Sequence, residues 1–323
     1  MRIAESRTSE AIVNPTSPTS LANEQIHTLQ GYLGGIFNGE PDSIHDARVA
    51  TRRLREILSV IDDVSPAVDV EVKRMGRFLG RVRDLDVETD LLLKIERRVP
   101  AAGAVTGVAR AHILRLRSRQ LRKAIKMLEG VDLVRIARGI VPRHPWRQRL
   151  APASPLIHTL RAHTAARVQD VRTAVTHATG VYFPRRSHVT RIALKKLRYA
   201  VEIAAASGIW HAPQLLKDLR KFQEVLGQVH DAETLLRSLD SLVADADISP
   251  RDVDRVRRVL EGDIADLHAQ YLAGRASVLA ACDACERFAR EGRGRGRLLV
   301  AAGSVLAASL AVPAALALAG RRD

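Results

Sequence analysis

The sequence predicts an all-α protein: two pseudo-symmetric four-helix bundles made by an internal duplication, followed by an apolar C-terminal helix. Three observations carry this. Apolar residues recur every three and four positions, and no alternating strand pattern persists. Hydrophobic residues make up 46% of the chain but aromatics only 3%, so the core must be built from Leu, Val, Ile and Ala, which suits helices. Two short blocks of the first half also recur, in the same order, in the second.

Residues 1–20 are polar, carry Pro15 and Pro18 and lack an apolar core, so they are expected to be a disordered tail and not a secretory signal. Beyond them, breakers cut the chain into helical segments at about 21–38, 43–62, 67–98, 104–129, 155–179, 187–207, 213–243 and 250–289. The breakers are Pro41, Pro66, Pro100 with Gly103, Gly130, the run 142–155, Gly180 with Pro184, Gly208 with Pro213, and Pro250. The eight segments form two sets of four, about 21–141 and 155–289. HDARVATRRLR at 45–55 aligns with HVTRIALKKLR at 188–198, and LGRVRD at 79–84 aligns with LGQVHD at 226–231. The slip between the two offsets predicts a longer helix–helix loop in the second half.

Residues 290–297 read as an Arg/Gly linker. Residues 298–320 are 23 positions without a charged side chain, flanked by Arg290, Arg293, Arg295 and Arg297 before and Arg321 and Arg322 after. That length suits a hydrocarbon core of roughly 30 Å, although Ala, Gly303, Ser304, Ser309 and Pro313 dilute its hydrophobicity. A transmembrane or granule-associated helix is expected, with the upstream Arg cluster keeping the main body cytoplasmic.

The formal net charge is +15, which favours polyanionic partners: nucleic acid, anionic lipid or polyphosphate. Only eight of the 51 basic residues are Lys, and an Arg fork can hold two phosphate oxygens at once. Helical spacing sorts these residues into rows. His45, Arg48, Arg52 and Arg55 share one face, opposite Ala47, Ala50, Leu54, Ile57, Leu58 and Ile61. His188, Arg191, Lys195 and Arg198 repeat the arrangement, with Arg53 and Lys196 on the flanks. His112, Arg115, Arg119, Arg122 and Lys126 make one row about 21 Å long. Lys73, Arg77 and Arg81 with Arg74, then Lys217, Arg220 and Lys221, then Arg251, Arg255 and Arg258, add shorter ones.

A solvated helix face would pair such cations with acids three or four residues away. Between His112 and Lys126 there is no acid, while Glu56 and Glu202 each stand four past an Arg of the duplicated rows. Rows this poor in acids point to a polyanion. Metal binding by His45 and His188 is disfavoured because their neighbours are mostly Arg. Asp84 is expected to orient Arg77 or Arg81 on its own helix, and Gly80 and Gly227 to allow close helix approach. Cys282 and Cys285 form a lone C-x-x-C read as structural thiols, since a zinc site needs two further ligands.

These blocks resemble the CHAD family, the conserved histidine α-helical domain. The likeness rests on H-x-x-R-[VI]-x-x-[RK]-[RK]-L-R in both halves, KLRYA at 196–200 and the two L-G-x-V-x-D blocks, and it spans about 21–289. It implies two four-helix bundles whose basic residues line a groove or pore for inorganic polyphosphate, with no catalysis and no cofactor. Carried over by position, it assigns phosphate contacts to His45, Arg48, Arg52, Arg53 and Arg55, to His188, Arg191, Lys195, Lys196 and Arg198, and to Arg74 and Lys221. Glu56 stands where the second half has Tyr199, and Glu202 lies on the basic face, so the halves are not expected to bind equally. The E-x-E-x-K signature of a triphosphate tunnel (CYTH) domain, which often precedes CHAD, is absent.

The expected function is therefore non-catalytic polyphosphate binding, at a membrane or storage-granule surface. Two alternatives are a nucleic-acid binder, disfavoured by the few aromatics for stacking, and a Mg-dependent phosphohydrolase. Asp84, Asp86, Glu88 and Asp90 would have to hold the metal, but their spacing spreads them around a helix.

Overall fold

The computed structural model describes residues 16–61, 64–140, 154–245 and 250–291. Residues 1–15 of the expected tail, 292–297 of the expected linker and the apolar segment 298–320 lie outside the described residues, while Arg290 of that linker ends the last helix. Among the described residues there is no strand, and no helix is long and apolar enough to cross a membrane.

The helices are α1 (Pro18–Phe37), α2 (Pro41–Leu58), α3 (Pro66–Arg98), α4 (Gly103–Glu129), α5 (Leu133–Arg138), α6 (Ser154–His177), α7 (Pro184–Ala206), α8 (Pro213–Asp245) and α9 (Pro250–Arg290). Five of them begin on a proline that sequence reading takes as a breaker, and α1 begins on Pro18. Proline at the first helical position loses no bond, because that N–H has no intrahelical acceptor, and its fixed φ suits the helix. This moves several boundaries outward: α2 starts at 41 and not 43, α7 at 184 and not 187. α1 starts at Pro18, where the Ser17 hydroxyl accepts from Ser20 N–H at 3.1 Å, so the expected tail stops short of residue 20. α5, of six residues, is too short to leave a periodic signal; Asp132 caps it and Ile136 is buried.

The repeat shows in the lengths: α3 and α8 each have 33 residues and follow two shorter helices. The interior departs from two separate four-helix bundles, because it has three cores. The first is made by α1, α2, the first part of α3, the end of α4 and α5, with Leu160 of α6 and Ile203 of α7 added from the second half. The second is made by α6, α7, the first part of α8 and the last part of α9. The third joins the halves: Leu92 and Ile95 of α3 and Val105, Ala109 and Ile113 of α4 pack with Leu235, Leu239 and Leu242 of α8 and Val253, Val256 and Leu260 of α9. The long helices outrun their own bundles, and their apolar ends are buried only against each other.

Cys282 and Cys285 are fully buried in the second core and unpaired, and burial pushes their thiols up to about 11 and about 12. They act as small apolar residues.

The shared core makes the halves one folding unit. Leu92→Ala, in the middle of it, is expected to lower stability by about 2–5 kcal/mol. Urea denaturation should show a single transition moved to lower urea; two separated transitions would mean the halves unfold independently.

Candidate functional site

The two duplicated basic rows meet. On α2, Ile44, Ala47, Ala50, Thr51, Leu54 and Ile57 are buried, which turns His45, Arg48 and Arg52 to the opposite side. On α7, Ser187, Thr190, Ala193, Leu194 and Leu197 are buried, which turns out His188, Arg191 and Lys195. α2 and α7 pack on each other, so the two outward faces form one basic seam. α3 contributes Arg83 and Asp84 to it, and α8 contributes His230, Asp231 and Arg237.

The electrostatics of this seam are strained. Arg48 is pushed down to about 10, first by burial and then by Arg52 and Arg191, with Asp84 opposing. Arg191 is lowered by burial and by Arg52, with Asp231 opposing. Lys195 is pushed down to about 7 by burial, then by Arg52, Arg191 and Arg48. His230 falls to about 3 through burial and then Arg191, His188 and Arg237. The rings of His188 and His230 lie 5.0 Å apart, and His188 too is lowered, by burial and then by Arg191 and Lys195. Arg48 is anchored by Asp84 at 3.0 Å. Gly80 makes this approach available, since a Cβ there would stand 3.2 Å from Arg48 Nε. A Cβ on its repeat partner Gly227 would meet nothing within 4 Å, so the close-approach role holds for Gly80 alone.

A layer of buried carboxylates lies behind the cations, and most of it is committed. Arg117 of α4 binds Asp86 and also donates to Gly39 O at 2.8 Å, fixing the α1–α2 turn where Gly39 has φ 76°. Two positions past Asp231, as Asp86 is past Asp84, Glu233 accepts from the Tyr182 hydroxyl. Burial raises the pKa of both, as it does Asp231's. Glu88 is pushed up to about 7 by burial. Among the described residues no group of three or more His, Cys, Asp or Glu is placed to hold a metal ion.

The other expected contacts divide. Arg198 does not reach the seam: it is buried, its Nε donates to Gln223 Oε1 at 2.7 Å, and it also binds Glu202. Glu202 draws Arg53 (3.7 Å) and Arg220 (3.4 Å) as well, so one buried acid turns Arg53 and Arg198 away from the expected row. Glu56 binds Arg167 of α6 at 3.6 Å and leaves Arg52 free of it. Lys196 lines a groove of about 590 Å³ between α6 and α7, with Arg185 and Arg186. Arg55, Arg77, Arg81, Lys217 and Lys221 are exposed on α2, α3 and α8; Arg81 lies over the Phe78 ring, and Arg74 faces Glu71 at 3.6 Å. Asp84 binds Arg48 of α2 instead of Arg77 or Arg81. His112, Arg115, Arg119, Arg122 and Lys126 lie on the side of α4 away from its buried face, and none of the charges that dominate in the seam comes from them. Sequence reasoning missed Arg83, His230 and Arg237. The first two occupy the same column of the repeated L-G-x-V-x-D block, which was the available signal; Arg237 leaves none.

The family model described as "CHAD domain" matches residues 20–240. The crystal structure of the CHAD domain from the plant Ricinus communis is similar at a TM-score of 0.56 and 22% identity, covering 85% of this chain and 91% of that one. PptA from Streptomyces chartreusis is similar at a TM-score of 0.53 and 16% identity, covering 84% and 99%. At these identities the likeness is one of fold. No curated protein matches the sequence.

The lowered pKa of Lys195 has a pH signature. The folded state holds the Lys195 proton less tightly than the unfolded chain, whose Lys titrates near 10.4. Above about pH 7 the unfolded state therefore binds more protons, and stability rises with pH. Between about pH 7.5 and 8.5 the urea midpoint of the protein should rise, and Lys195→Met should flatten that slope. An equal slope in the variant would mean Lys195 is ordinarily basic.

Proposed function

The chain belongs to the CHAD domain family, and from that premise we propose that it binds inorganic polyphosphate in the seam between α2 and α7, without turning it over. One observation carries the reading: cations from both halves converge in one half-buried seam and outnumber the carboxylates there, and burial first, then Arg52, Arg191 and Arg48, push Lys195 down to about 7. Arg48, Arg52, Arg83, Arg191, Lys195 and Arg237 face Asp84 and Asp231, with Glu56 and Glu233 at the edges. A linear polyanion answers this imbalance. Each phosphate offers paired oxygens to an Arg fork, and its charge restores the proton on Lys195.

A non-catalytic role is favoured by the acids' commitments. Asp84 is taken by Arg48, Asp86 by Arg117 and Glu233 by Tyr182. Nucleic-acid binding is the weaker reading, because the seam presents cations without the aromatic platforms that single strands use.

Binding of long-chain polyphosphate by the full chain tests the proposal. Arg52→Glu and Lys195→Glu are each expected to weaken it by about tenfold or more, or about 1.4 kcal/mol. Arg198→Gln should leave the affinity unchanged, because its fork is already spent on Gln223 and Glu202. Affinity should also fall roughly a thousandfold between about 50 and 200 mM salt if six phosphates are neutralised, by analogy with DNA. Unchanged affinity in both charge-reversal variants, or displacement by DNA at equal phosphate, overturns the reading.

A further inference from the structure

We propose that the outer face of α4 is a second polyanion site, separate from the seam, and that the protein is therefore bivalent and cross-links long polyphosphate chains. The inference rests on the reading of the seam as a polyphosphate site. It is carried by the placement of the α4 row.

α4 buries Val105, Thr106, Ala109, Ile113, Ala124, Met127 and Leu128 against its neighbours, above all α3. His112, Arg115, Arg119, Arg122 and Lys126 occupy the other side, spaced three and four apart over about 21 Å. Arg115, Arg119, Arg122 and Lys126 are exposed, and Lys123 is exposed beside them.

Two acids of the neighbouring helix are used elsewhere. On α3, the helix packed against α4, Glu96 takes Arg110 at 3.3 Å and Asp86 takes Arg117. Both of those arginines belong to α4 but lie outside the row. Among the described residues, Arg115, Arg119, Arg122 and Lys126 make no ion pair and no side-chain hydrogen bond. The one acid of α4 is Glu129, beyond the end of the row.

The last helix of the second half provides an internal comparison. α9 opens with a similar density of Arg, and there part of the charge is answered, at Arg257 by two carboxylates. Arg257 binds Asp240 at 2.5 Å and Asp254 at 3.7 Å, Arg255 donates to Ala101 O at 3.0 Å, and Asp263 binds Arg98 at 2.8 Å. The chain can neutralise an Arg-rich outer helix, and on α4 it does not. Like charges at these spacings are mildly destabilising without a counterion, so the uncompensated row is a standing site for an anion.

The two sites differ in kind. The seam is half-buried, draws on four helices and bends the titration of its own groups. The α4 row is open, comes from one helix and faces away from the core. None of the charges that shift the seam's groups comes from the α4 row, so the two act separately. A short oligophosphate can occupy one site only. A long chain can engage both on one molecule, or bridge the seam of one molecule to the α4 row of another, which adds avidity without new contacts.

Light scattering at about 50 mM salt, with long-chain polyphosphate added to the full chain below saturation, reads the cross-linking. The parent protein should scatter strongly with the long chain and remain clear with tripolyphosphate. Arg119→Glu/Arg122→Glu should abolish the scattering and hold tripolyphosphate affinity within about twofold. The milder Arg119→Gln/Arg122→Gln should reduce scattering in the same direction. Scattering unchanged in the double variants overturns bivalency. An equal loss of tripolyphosphate affinity in the α4 and the Lys195→Glu variants overturns the separation into two sites. Failure of the seam reading appears differently: Lys195→Glu would then leave tripolyphosphate affinity intact.

Discussion

The crossing of two cation-bearing helices is the constraint on which the rest of this structure depends. α2 and α7 must each bury an apolar face, and the duplication gives both the same basic row on the other face. Once they pack, the rows converge in a half-buried seam where water screens poorly. Much of the surrounding polar structure limits the resulting repulsion. Asp84 binds Arg48 from α3, Asp231 faces Arg191 from α8, and His45, His188 and His230 are all held below the usual histidine range, first by burial. Glu202 gathers Arg53, Arg198 and Arg220 on the far side of α7, so fewer charges crowd the seam. Three cations taken by one buried acid hold the packing; the cations left over are the ones available to a ligand.

The shared core fixes that crossing. The apolar ends of α3, α4, α8 and α9 have no other partner, so they clamp the halves together. α3 and α8 run from the first and second cores into the third and carry Arg83, Asp84, His230 and Asp231 past the seam on the way. Their 33-residue length is thus tied to the site as well as to the fold. Arg117, by binding both Asp86 and Gly39 O, couples α4 and the α1–α2 turn to the same layer.

Much of this was legible in the sequence. The helical period, the prolines and the two repeated blocks give the element order, and the spacing of His45, Arg48 and Arg52 gives the correct outward face of α2. What spacing cannot give is the partner. Asp84 reads as a neighbour of Arg77 or Arg81 on its own helix, yet it binds Arg48, because α2 and α3 bring it closer across the bundle than along the helix. Arg198 fits the basic row by period, but its bonds to Gln223 and Glu202 hold it buried. The three-part core was hidden because a periodic apolar face says that a helix is covered, not by which helix. Arg83 and His230 were findable, since they share a column of a block already aligned.

The most direct test of the seam is proton uptake on binding. Polyphosphate held against Lys195 returns its pKa toward the ordinary lysine range, so the complex must take up a proton that the free protein lacks. Calorimetric titration with polyphosphate at about pH 8, in two buffers of different ionisation enthalpy, should show a net uptake of about one proton, lost in Lys195→Met. A binding enthalpy that is the same in both buffers, with binding intact, would place the polymer somewhere other than the seam.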